Sequence, residues 1–235
     1  MAKDNLHNAL RSVDWKKNVE DFLSEEGAVA QLDTACLRMA IWARQLENVE
    51  ASNPAITFVR AMQVASHHAV ATMSLGVYKA AAGSIRGIVE NALYFTYFRS
   101  HPVELASLVR EDSYYVSKGD IIGFHKTHTP GFKDLQDRLG LMSRIDNWYS
   151  KISAIVHGQV PGTWVEQAGI SQTKFNRKTT LSAVEKFLEA ERIVHELFLI
   201  TVGAENWDGF SAAAKKELMK GMPGDIKSVL KLDVR

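Results

Sequence analysis

The chain carries a single cysteine, Cys36, so no disulfide forms within it and the fold rests on packing. It has five prolines: Pro54, Pro102, Pro130, Pro161 and Pro223. Each stands where a helix is expected to begin or end, because proline inside a helix removes a hydrogen bond. Charge of one sign is missing too: 28 basic residues face 27 acidic ones, a formal net charge of +1. That balance excludes a global electrostatic grip on nucleic acid or an anionic membrane and leaves only local basic patches. The longest uncharged stretch, 61–78, contains Gln63, Ser66, His67, His68, Thr72 and Ser74, too polar for a membrane span. The first twenty residues carry charges throughout, so no secretory leader is expected, and the expected location is cytoplasmic. Alternating strand patterns are nearly absent, and without a strand no Gly-rich phosphate loop is expected.

What is present is helical periodicity. With 235 residues, 46% of them hydrophobic, the chain suits one domain with one sizeable core. The expectation is an all-α bundle of about eight helices spanning 1–235, its core at about 29–203 and a helical appendage at 204–235. Helices are predicted over 14–24, 29–49, 102–117, 143–158, 180–202 and 207–232, with a short one in KDLQDRLG ended by Gly140. The periodic stretch 54–99 would make one helix about 65 Å long, so a break is expected near Gly76 or between Lys79 and Gly83. Residues 119–132 read as a loop, and 158–178 as an irregular loop or short hairpin. Cys36 lies among Ala35, Leu37, Met39, Ala40 and Ile41, the setting of a buried, inert thiol.

Arg86 and Glu90 sit four apart among small and apolar residues and share one helical face. A charge on such a helix is costly unless something answers it. Arg86 is a candidate anion-binding fork oriented by Glu90, with Asn91 and Tyr94 nearby as further hydrogen-bonding groups. The plainer alternative is an ion pair that sets helix register. Gly76, Ala80, Gly83 and Gly87 form a stripe of small residues on the same helix, suited to close helix packing, to framing a polar pocket or to a dimer face.

The second constellation is Trp148-Tyr149-Ser-Lys151-Ile-Ser153-Ala-Ile-Val-His157-Gly158. His157 falls in the last helical turn, where the dipole favours a positive ring, with Ser153 and Tyr149 one and two turns before it. The alternative is a histidine that caps carbonyls. The turn Pro161-Gly162-Thr163-Trp164 offers a ring to fold over this site. His67 and His68 diverge on a helix, and His125-x-x-His128 lacks a further ligand, so neither a metal nor a cofactor is expected. Basic clusters at Lys174, Arg177 and Lys178, with Phe175 among them, and at Lys215, Lys216 and Lys220 are the patches open to nucleic acid. Val184, Phe187, Leu188, Val194, Leu197 and Phe198 mark either core or a partner surface.

An Arg···Glu helix followed by a helix ending Ser-x-x-x-His-Gly resembles the HEPN superfamily over about residues 55–200. These are small all-α bundles, often dimeric, of bacterial toxin–antitoxin and anti-phage systems. Active members cleave RNA with an Arg-x4-6-His motif at the dimer interface. Lys151 precedes His157 with five residues between, a lysine in the place of the motif's arginine. The resemblance implies a homodimer, a partner protein from a defence module, and binding of RNA or a nucleotide. Any chemistry would be that of a ribonuclease or nucleotide-acting hydrolase. The site expected on both grounds is Arg86, Glu90 and His157 as the reactive set, with Asn91, Tyr94, Ser153 and Lys151 binding the ligand. The competing expectation is a non-enzymatic scaffold subunit in which the same residues hold helices together.

Overall fold

Between Tyr78 and Phe98 apolar side chains recur on nearly every face, and a helix of that pattern has to be wrapped by others. The computed structural model describes residues 2–165, 167–222, 224–230 and 232, and every regular element among them is helical. In chain order these are α1 (Ala2–Ser12), α2 (Trp15–Leu23), α3 (Glu26–Val49), α4 (Ile56–Ser74), α5 (Tyr78–Phe98), α6 (Pro102–Arg110), α7 (Lys118–His128), α8 (Phe132–Leu139), α9 (Leu141–Val156) and α10 (Arg177–Phe198). α5 is the axis. It packs along α4 and is covered by α9 and α10, with α6 and α7 against its C-terminal half. Ile85, Ile88, Val89, Ala92 and Phe95 on α5 are fully buried.

The break in 54–99 falls at Gly76. This residue has φ 76°, and a Cβ there would lie 2.9 Å from the Lys174 carbonyl oxygen, so glycine is required twice over. The irregular segment after α9 is thereby pressed onto the α4–α5 turn. Asn18 links the two, donating to the Leu75 carbonyl at 3.1 Å and accepting from the Phe175 N–H at 2.9 Å.

Several expected boundaries moved, and there are more helical segments than the eight expected. Residues 118–128 form helix α7, not a loop: Ser117 and Asp120 make a capping box, each accepting from the other's backbone N–H. Gly119 and Gly123 weaken the helical signal there, and burial of Ile121 and His125 overrides it. α6 stops at Arg110. α9 starts at Leu141 rather than at Ser143, since Gly140 adopts φ 60° between α8 and α9. α10 begins at Arg177 because Asn176, not Thr180 or Ser182, accepts from the Thr179 N–H. In place of a hairpin, the described residues of 158–176 hold one 3-10 turn, Ile170–Gln172.

α10 continues through a π-helical turn, Leu199–Gly203. The expected 207–232 helix is divided into a 3-10 turn, Trp207–Gly209, and two short helices, Ala212–Leu218 and Gly224–Leu230. Pro223 and residues 231 and 233–235 lie outside the described residues. The segment after 204 buries Trp207, Phe210, Leu218 and Met219, with Phe210 edge-on to Trp42 at 5.7 Å. Val184, Phe187, Val194, Leu197 and Phe198 are core, not an open partner surface. Cys36 is half-buried, and burial, then Asp33 and Glu191, push its thiol up to about 11. It stays protonated and unreactive at neutral pH.

Among the described residues, most of the small-residue stripe does not pack against another helix. Ala80 and Gly83 are exposed, and a Cβ on Gly83 would meet nothing within 4 Å. Only Gly87 approaches α4, its Cβ position 3.8 Å from that of Ala65. Gly83→Ala is therefore expected to stabilise the protein by about 0.5–1 kcal/mol through helix propensity. Urea unfolding measures this, and a destabilised variant would mean the missing side chain matters to something else, such as a second subunit.

Candidate functional site

Tyr149, Ser153 and His157 are four apart on α9 and share the stripe that faces α5. Opposite them, Arg86 and Glu90 occupy adjacent turns of α5. The result is a closed ring of hydrogen bonds. Arg86 Nε donates to Glu90 Oε1 at 2.9 Å, and Arg86 Nη2 donates to the Tyr149 hydroxyl at 2.7 Å. The Tyr149 hydroxyl completes the ring by donating to Glu90 Oε1 at 2.6 Å. The remaining arm, Arg86 Nη1, lies 3.3 Å from His157 Nε2. Arg86 and His157, 71 residues apart in sequence, thus meet at one place.

Guanidinium nitrogens only donate, so the Arg86 contact requires an unprotonated His157 Nε2, with the ring proton on Nδ1. His157 is the cap residue of α9 and is exposed. Around Arg86, burial works against the charge, but Glu90 and Tyr149 outweigh it and hold the guanidinium firmly protonated. The Tyr149 hydroxyl is pushed up by burial and by its bond to Glu90, so it remains a donor.

Two further cations border the site. Lys118 Nζ stands 5.1 Å from the Tyr149 ring centre, close to the 5.0 Å of Arg86 Cζ, and also pairs with Asp146. Lys79, two turns before Arg86, brings Nζ within 3.9 Å of the Cβ position of Gly158. The arrangement can hold an anion: a braced guanidinium, a lysine and a solvent-facing imidazole converge at the end of α9, against one carboxylate, Glu90.

The other expected residues separate into neighbours and strangers. Tyr94 is one turn beyond Glu90; burial and then that carboxylate push its hydroxyl up, and its ring packs edge-on to Phe58 at 5.4 Å and to Phe98 at 5.5 Å. Asn91 spends its amide on its own helix, donating to the Gly87 carbonyl at 2.7 Å. The Ser153 hydroxyl is buried and has no hydrogen-bond partner among the described residues. Lys151 is not at this site. Two residues past Tyr149 it projects from the opposite side of α9, into a cleft shared with α3 and α10. Trp164 does not cover the site either: it is buried against α10, its indole N–H donating to Ser182 Oγ at 3.1 Å.

Tyr149 is the member whose part was underestimated. Its place in the Tyr149–Ser153–His157 stripe was readable, but its bond to two residues of another helix was not. Lys79 and Lys118 had no local signal. Among the described residues no three His, Cys, Asp or Glu side chains are grouped to hold a metal, and His125, one of the weak metal candidates, is buried between Thr96 and Thr129. Arg177, from the basic cluster, pairs with Glu25 at 2.6 Å. Among the described residues no helix is long and apolar enough to cross a membrane. Comparisons with protein-family models, curated proteins and solved structures found no match.

Proposed function

We propose that this chain is a HEPN-like protein of a bacterial anti-phage defence or toxin–antitoxin module, binding RNA or a nucleotide at the Arg86–His157 site. In this reading it acts in the cytoplasm, as a homodimer, beside a partner protein of its module. One observation carries the proposal: Arg86 is braced on two sides by Glu90 and Tyr149 while its third arm points at an exposed imidazole 3.3 Å away. A phosphate oxygen can displace His157 as acceptor for Nη1. The ring then gains an anionic neighbour, which favours its protonation and makes Nε2 a second donor to the same phosphate. Lys79 adds charge along the strand path. His157 is the group free to move a proton in any hydrolytic step.

The test uses Arg86→Ala and His157→Ala with a single-stranded RNA oligonucleotide and with expression toxicity. Each variant is expected to bind about tenfold or more weakly, the loss of one charge-assisted contact, with an unchanged far-UV circular dichroism spectrum. Wild-type binding and toxicity in both variants would refute the site.

The scaffold reading has its own support, since the hydrogen-bond ring ties α5 to α9 regardless of any ligand. It expects Arg86→Ala to lower the thermal midpoint and the wild type to show no hydrolysis of RNA or nucleotides.

A further inference from the structure

On the far side of α9 from His157, helices α3, α9 and α10 enclose a cleft of about 430 Å³. Arg144, Trp148 and Lys151 reach it from α9, spaced four and three apart, and Glu185, Leu188 and Arg192 from α10. The Trp148 indole donates to the Lys186 carbonyl at 3.0 Å, and Arg144 pairs with Glu196, so the two helices run antiparallel. Arg192, one turn from Glu196, therefore stands beside Arg144. Consistent with that closeness, burial and then the Arg192 charge push the Arg144 guanidinium below its usual range. Lys151 lies two turns away, about 10 Å along the axis, at the Glu185 end.

The carboxylates in the wall are answered from within it. Glu191 is held by Arg38, Glu189 by Lys186 at 2.7 Å, and Glu185 lies 3.9 Å from the same lysine. Arg192 and Lys151 have no hydrogen-bond or ion-pair partner among the described residues, and the Nη1 and Nε atoms of Arg144 are also unengaged. The cleft thus has two adjacent guanidiniums at one end. Leu188, Ile193 and the Trp148 ring form an apolar wall between them and Lys151. Glu196 answers only the Nη2 arm of Arg144, so the two guanidiniums keep free donors for a further anion, and the apolar wall suits a flat ring.

We infer that this cleft binds a nucleoside monophosphate, with the phosphate between Arg144 and Arg192 and the base on the Leu188–Trp148 wall. The site is separate from Arg86 and does not depend on the function proposed for it. Calorimetric titration of the full chain with AMP and, separately, with inorganic phosphate tests the assignment. The wild type should bind AMP saturably and more tightly than phosphate. Arg192→Gln, which removes an exposed charge without a partner and should keep the wild-type thermal midpoint, should weaken AMP about tenfold. The Arg192-dependent AMP binding should persist in Arg86→Ala. The inference is overturned by an absence of AMP binding, by equal affinity for AMP and phosphate, or by an Arg192→Gln variant that binds AMP like the wild type. Loss of AMP binding in Arg86→Ala alone would assign the nucleotide to the other site.

Discussion

Replacing Arg38 by methionine is expected to lower the unfolding free energy by about 3 kcal/mol. Arg38 on α3 grips Glu191 on α10 with two parallel hydrogen bonds, Nε to Oε1 and Nη2 to Oε2, each 2.5 Å. The Glu191 side chain is only 3% exposed. Without Arg38 a carboxylate stays buried with no cation, and that desolvation, more than the lost attraction, sets the cost. The figure belongs at the low end of the range for broken buried pairs because Glu191 borders the α3–α9–α10 cleft, where water replaces part of the lost contact. For a chain of this size the thermal midpoint should fall by about 6–12 °C. The double variant Arg38→Met, Glu191→Leu should recover most of the loss, since an apolar pair of similar volume carries no unanswered charge. Urea unfolding of the three variants is the measurement. A single-variant loss under about 1 kcal/mol would show that packing alone joins α3 to α10.

The second large effect is acid sensitivity well above the carboxylate range. His195 is buried and accepts the Trp42 indole N–H on Nδ1 at 3.0 Å. Burial, reinforced by the Arg38 charge, pushes it down to about 3. His125 is buried between the Thr96 and Thr129 hydroxyls, at 2.9 and 2.8 Å. Burial, then Arg99 and His101, push it down to about 4. Above pH 6.5 both rings are neutral in the folded and unfolded chains and contribute nothing to pH dependence. Below 6.5 the unfolded chain takes up protons that the folded chain refuses, so stability falls as pH falls. The fall continues until the folded rings themselves titrate, near pH 4 for His125 and pH 3 for His195. Between pH 7 and pH 5 each histidine should cost about 2 kcal/mol and the pair about 4. Glu50, whose acidity is strengthened by Arg99 and Asn53 despite its burial, adds its own loss only at lower pH. His195→Gln, which keeps an acceptor for Trp42, should remove about half of the slope. Unfolding free energies that stay level from pH 7 to pH 5 would contradict the account.

The helical bundle was legible because its signals are local. Apolar spacing in 29–49 and 54–99, and the glycines that marked the two places open to a break in the second stretch, are properties of neighbouring residues. Where the pattern misled, burial outweighed propensity. Gly119 and Gly123 make 118–128 look like a loop, yet its capping box and the buried faces of Ile121 and His125 hold it helical. The reverse error touched the Gly83 stripe: spacing suited to close packing was there, but among the described residues nothing lies against Ala80 or Gly83 as α4 does against Gly87.

Arg86 and Glu90 stand out from sequence alone, since a charged pair on an apolar helix requires a partner whatever the fold. The Tyr149–Ser153–His157 stripe follows equally from the 3.6-residue period. That α9 crosses α5 at the register where Tyr149 bridges both charges and His157 meets Nη1 was decided only by tertiary structure. So was the turning of Lys151 away into a different cleft. One-dimensional spacing determines which residues share a helical face; which two faces meet depends on how all ten long helices fill one core. That is a property of summed packing, which no local stretch of the chain encodes.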